Sequence, residues 1–284
     1  MGFSDRLNQE RSPSLRPPRG RSARNACALM LLAGTVLPGL AGCERRDAPE
    51  TLEAAFAATS GQAAGAPRRV PDDGPYAFLF VGANDAEAQI LLAGLASGRY
   101  YAACALTERD APAAAELHLR ELVEDFVVSQ SNSANTRALF AALENHADRI
   151  AEHPPQVVME ASARRVQARI SDASSVGEVS DHAHALRRLV REAARAYAEA
   201  GAVEADRSVR MRENAWGYVT AAEVFMELRR AEYERVDPAA AERLLAELAR
   251  AHAELDAVFT EAIPPEASVR VLATQLELAI DPFT

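Results

Sequence analysis

The sequence predicts an all-α protein: an antiparallel bundle of about eight helices, built as one body or as two four-helix halves. Three observations predict it. From about residue 75 onward the chain is rich in Ala, Leu, Glu and Arg, which are strong helix formers. Apolar residues recur there at helical spacing, as in Leu119, Leu122, Val123, Phe126 and Val127, in Leu186, Leu189, Val190, Ala193, Ala194 and Tyr197, and in Met211, Ala215, Tyr218, Val219, Ala222, Phe225 and Met226. Glycine is rare and, with proline, punctuates these runs. Each apolar stripe needs a partner helix to bury it, and antiparallel helices joined by short turns supply one.

Taken in order, helices are expected over 85–108, 112–129, 136–151, 156–172, 181–200, 208–235, 239–261 and 266–280. Asp110 before Pro112 and Asp237 before Pro238 read as an N-cap followed by a first-turn proline. Gly201, Pro154-Pro155 and Pro264-Pro265 mark helix ends. Tyr76-Ala77-Phe78-Leu79-Phe80-Val81 is the one strand-like run. With no second strand to pair with, it is expected as an extended or helical lead-in. A joint over 171–180 separates the two expected halves, 75–172 and 178–284, of a helical domain over 75–284.

The N-terminus reads as an address. Arg6, Arg11, Arg16, Arg19, Arg21 and Arg24 face only Asp5 and Glu10 in the first 25 residues. The apolar run Ala26–Leu37 follows, and Pro38-Gly39 breaks it. That run is shorter than the roughly 20 apolar residues of a membrane-spanning helix. A basic segment, a short apolar core and small residues make a removable export signal. The box Leu40-Ala41-Gly42-Cys43 resembles the lipobox of bacterial lipoproteins. The resemblance implies a signal peptide over 1–42, cleavage before Cys43 and lipid on that cysteine, with a membrane-tethered, periplasm-facing chain. Several acyl chains on one residue anchor firmly where one alone binds marginally. Glu44 stands where an Asp would favour the inner membrane, which tilts the expectation toward the outer one. The alternatives are an ordinary signal beside an unrelated cysteine, and a chain that is not exported. Residues 43–74 carry no apolar period and read as a disordered tether, with a reach on the order of 30 Å.

Charge and cysteine usage exclude several classes. The first 42 residues carry +4 of the chain's −10, so residues 43–284 carry −14. A body this acidic repels nucleic acid and anionic lipid. All the basic residues are Arg, in keeping with an Ala-rich, GC-rich coding sequence. Cys27 leaves with the signal and Cys43 is the acylation site, so Cys104 alone remains; the processed chain makes no internal disulfide and no cysteine-based zinc site. Gly-rich phosphate loops, nucleophile elbows and His-Glu-x-x-His motifs are missing, and no enzyme is expected.

His118, Glu121 and Asp125 share one helix face at i, i+3 and i+7, a nitrogen-and-oxygen set suited to a divalent or ferric ion. At about 100° per residue the trio centres roughly 130° from the apolar stripe, so it is expected to point outward unless a second layer of helices covers it. His182 lies on its helix's apolar stripe, as a core-edge histidine or a buried ligand. His184 and His252 are expected to be exposed, and His153 to sit at a helix end before Pro154. Trp216-Gly217 reads as a close helix approach with a large ring filling the gap. Glu213 joins the candidate ligands if its helix bends or starts near Asn214.

Ala196-Tyr197-Ala198-Glu199-Ala200-Gly201, Glu213-Asn214-Ala215-Trp216-Gly217-Tyr218-Val219 and Ile263-Pro264-Pro265-Glu266-Ala267, with the His-x-x-Glu of His118–Glu121, resemble extracytoplasmic helical proteins of the imelysin and iron-permease-associated type. Glu116 stands where that pattern has Gly, and its later acidic pairs are thinned to Glu213. The resemblance implies paired bundles linked to metal uptake, with His118, Glu121 and Glu213 as carried-over ligands beside His182. The expected function is a lipid-anchored helical protein that binds iron or another metal for an envelope transporter. The alternative is a structural envelope lipoprotein that holds another envelope protein and has no ligand.

Overall fold

Asp85–Glu108 (α1), one of two 24-residue helices among the described residues, is buried nearly all round from Ile90 to Leu106. It is long and apolar enough to cross a membrane, yet 89% of that window lies inside the protein, as befits a central core helix. The computed structural model describes residues 76–127, 133–260 and 262–284. The expected signal, Cys43 and the tether lie outside them. Every regular element among the described residues is helical. After α1 come α2 (Pro112–Val127), α3 (Ala134–Glu152), α4 (Gln156–Ser174), α5 (Val179–Glu199), α6 (Ala205–Leu228), α7 (Arg230–Val236), α8 (Pro238–Leu255) and α9 (Glu266–Ile280). The strand-like run forms a short 3-10 turn, Ala77–Phe80, that leads into α1.

α1 packs most extensively along α6, then along α2 and α5. α3 and α4 pack on each other and on α2 and α1. α8 and α9 close the other side against α6 and α5. The described residues belong to one compact unit, and α1, from the first expected half, lies along α5 and α6 of the second.

The α1–α6 contact is made by backbone. A Cβ placed on Gly217 would sit 2.1 Å from the carbonyl oxygen of Gly98. A Cβ on Gly98 would sit 2.4 Å from Tyr218 Cδ1 and 3.0 Å from the Gly217 carbonyl carbon. Two glycines thus let the helices touch main chain to main chain, while Ala93, Ala96, Ala102, Ala215, Ala221 and Ala222 keep the flanks thin and buried. The ring of Trp216 fills the space beside the crossing, stacked edge-on against Phe259 at 5.1 Å.

Three local expectations need correction. Asp110 does not cap α2. It takes a left-handed conformation (φ 59°) and ends α1, with the Ala111 N–H bonded to Leu106 O and its own N–H to Thr107 O, the Schellman pattern. The single helix expected over 208–235 breaks at Arg229. Its guanidinium donates to the carbonyls of Val176 and Gly177 before α5. The helix expected over 239–261 ends at Leu255 and tightens into a 3-10 turn, Asp256–Phe259. Asp237 does cap α8, accepting the Ala240 N–H at 2.9 Å with Pro238 in the first turn.

Gly217→Ala and Gly98→Ala should each cost about 3 kcal/mol or more, the upper end of overpacking, because backbone cannot yield as a side chain can. Gly201→Ala, which meets nothing within 4 Å, should stay within about 0.5 kcal/mol of the parent. Urea denaturation of the three variants measures both; equal losses at all three positions would contradict the crossing.

Candidate functional site

The face carrying His118, Glu121 and Asp125 is turned inward by a second layer. His118 is fully buried, and Glu121 and Asp125 are about a third exposed. The expectation that this trio points to solvent is therefore corrected. One apolar stripe served α1 and α3, while the start of α6 and Arg99 of α1 cover the opposite side of α2.

His118 bridges α2 to α6. Its Nε2 lies 2.7 Å from a carboxylate oxygen of Glu213, and its Nδ1 lies 3.0 Å from Oδ1 of Asn214. Both ring nitrogens of His118 are thereby engaged by side chains of α6. Glu213 is buried and meets His118 of α2, on an α6 that runs unbroken from Ala205 past it.

Arg99 supplies the second half of the network. It is the one charged residue between Ile90 and Leu106. Its Nη2 donates to Tyr76 OH at 2.6 Å and to Asp125 at 2.8 Å, and its Nη1 lies 3.6 Å from Glu121. Its Nε has no hydrogen-bond partner among the described residues. Glu121 also meets Nε of Arg210 at 3.1 Å. The Tyr76 and Tyr218 hydroxyls lie 3.4 Å apart. Burial works against the charge on Arg99, but Tyr218, Tyr76 and Asp125 outweigh it and hold the guanidinium above its ordinary pKa. Burial pushes the Tyr218 phenol well up. Glu192 of α5 is also raised by burial, against the two hydrogen bonds it accepts from Arg195.

Of the four expected ligands, the structure brings His118 and Glu213 together. Glu121 is taken by Arg99 and Arg210. His182 stands apart: it is fully buried on α5, with Nδ1 3.1 Å from the Tyr233 hydroxyl of α7 and its ring against Phe225 and Tyr233. No group of three or more potential ligands converges among the described residues. His184 is exposed, and His153 ends α3 in a left-handed conformation. His252, expected exposed, is largely buried: Nδ1 meets Glu223 at 2.5 Å and the ring lies edge-on to Trp216. Tyr197 OH donates to Pro264 O at 2.5 Å, so two of the quoted resemblance strings touch.

Arg99, Arg210, Asn214, Tyr76 and Tyr218 escaped the sequence reading. A lone charge in a long apolar helix was the available signal for Arg99, because such a charge needs a buried partner. No known protein family, curated protein or solved structure matches the chain at a significant level.

Breaking the His118–Glu213 pair leaves one buried group uncompensated, so Glu213→Ala should cost about 3–5 kcal/mol of stability, against about 1 kcal/mol or less for the part-exposed Glu121→Ala. Burial lowers the His182 pKa to about 3, with Arg229 adding to the effect. The unfolded chain, with an ordinary value near ~6.5, therefore takes up the proton first. Stability complete above that value is lost as pH falls toward 3, by about 1.4 kcal/mol per pH unit from this residue. His182→Gln should flatten the stability–pH curve between pH 6 and 4 by that amount; parallel curves would contradict a neutral buried ring.

Proposed function

We propose that this protein is a lipid-anchored helical body of a bacterial cell envelope, cut before Cys43 and acylated on its sulfur, that works by holding another envelope protein. The observation that carries this reading is the ordered leader: a basic segment, a short apolar core, Pro38-Gly39, and the box Leu40-Ala41-Gly42-Cys43. The net charge of −14 on residues 43–284 favours a protein partner over nucleic acid or an anionic lipid surface. The buried polar groups favour a scaffold, since His118, Glu213, Glu121 and Asp125 are spent tying α1, α2 and α6 together. Glu44 favours the outer membrane.

A second reading, a metal carrier for uptake of the imelysin type, has one observation in its favour. His118 and Glu213, two of the expected ligands, meet at 2.7 Å in a buried site. A metal there must displace Asn214 or the His118–Glu213 hydrogen bond, and Glu121 must leave two arginines.

Cells making the protein should label it with radioactive palmitate and retain it in the membrane fraction, and Cys43→Ser should abolish both. Unlabelled protein starting upstream of residue 43 would overturn the anchor. Titration calorimetry of the protein with Fe(III) or Cu(II) separates the readings. The scaffold predicts no one-to-one heat, whereas stoichiometric binding weakened by His118→Ala would establish the metal carrier instead.

A further inference from the structure

Four of the six histidines are buried, and each links two helices: His118 α2 to α6, His146 α3 to α4, His182 α5 to α7, and His252 α8 to α6. His118 and His252 each face a carboxylate. His146 faces none. Its Nδ1 lies 2.9 Å from the Ser162 hydroxyl of α4, and its ring meets the edge of Tyr100 of α1 at 5.4 Å. Charged residues that flank His146 and Ser162 in sequence are engaged elsewhere: Asp148 with Arg120 of α2, Arg149 with Glu152, and Glu160 of α4 with Gln156 and Arg164.

The helix that His146 holds is thinly embedded over its first half. α4 buries Val166, Ile170, Ala173 and Ser174, all in its second half. Residues 156–165 include no buried side chain, and Val157 is 66% exposed. Few buried contacts make a segment open first. Pro154-Pro155 and the left-handed His153 before it form a natural pivot.

We propose that the first half of α4 is an acid-released flap, in which a proton taken up by His146 frees residues 156–165 from α3 while the α1–α5–α6 core stays folded. The proton comes from solvent and charges an imidazole that, among the described residues, meets a hydroxyl and a ring edge. Opening returns that charge to water and uncovers the apolar face of α3. Burial lowers the His146 pKa to about 4, in the direction this device requires. Measured against an ordinary ~6.5 in the open state, the opening equilibrium of the flap rises on the order of 100-fold from pH 7 to pH 4.

Hydrogen exchange of the full chain, read by mass spectrometry and corrected for the chemical rate at each pH, tests it. The expected result is a loss of protection on the order of 100-fold in 156–165 from pH 7 to pH 4, with these amides less protected than those of α1 and α6 at every pH, and with the loss absent in His146→Gln. Protection of 156–165 equal to that of α1 and α6, no loss at pH 4, or the same loss in His146→Gln would each overturn the flap. Should His146→Gln not fold, the parent protein still decides. The His146 ring and the amides of 156–165 must titrate with one midpoint by NMR, and midpoints separated by a pH unit or more would overturn the proposal.

Discussion

The rest of the structure depends on the main-chain contact between Gly98 and Gly217. At that point α1 and α6 lie so close that a single methyl group on either would enter the other helix's backbone or the adjoining tyrosine ring. The next residue on each helix, Arg99 and Tyr218, is thereby carried into the same buried space. α2 then has to offer Arg99 a countercharge, because a guanidinium cannot shed its proton on burial and is costly unpaired. Glu121 and Asp125 supply it. Three residues earlier on the same face, His118 reaches Glu213 and Asn214, one turn before the crossing on α6. A packing constraint between two glycines thus fixes the positions of a charge network.

That network explains why a promising ligand set in the sequence forms no ligand cluster among the described residues. A metal site needs lone pairs held in reserve, whereas these groups are already satisfied by neighbours from other helices. The same economy recurs at His252 with Glu223 and at Glu192 with Arg195. Among the described residues these buried charges are paired across or along helices and serve cohesion.

Much of the helix plan was legible in the residues, because its signals are local. Pro154-Pro155, Gly201, Asp237-Pro238 and Pro264-Pro265 act on the backbone within a turn of themselves, and the helices expected around them begin or end nearby. The features that escaped reading are set by distant chain. The break falls at Arg229, whose guanidinium is held by carbonyls some fifty residues earlier. Asp110 ends one helix where it was expected to begin another, since an aspartate before a proline serves either role and the left-handed backbone decides. His118 and His252 were assigned to solvent because periodicity locates one buried face, and a helix packed on two sides has two. The close approach at Gly217 was legible from Trp216-Gly217-Tyr218, but its partner Gly98 was not, since Gly94-Leu95-Ala96-Ser97-Gly98 reads equally well as a small-residue stretch facing any helix.

The most direct test is a nuclear Overhauser measurement on protein labelled with 13C-glycine. The α-protons of Gly98 and Gly217 should give a strong mutual cross-peak, together with one from Gly98 to the Tyr218 ring. If each glycine shows contacts within its own helix alone, the crossing does not exist and the Arg99 and His118 pairings built on it lose their foundation.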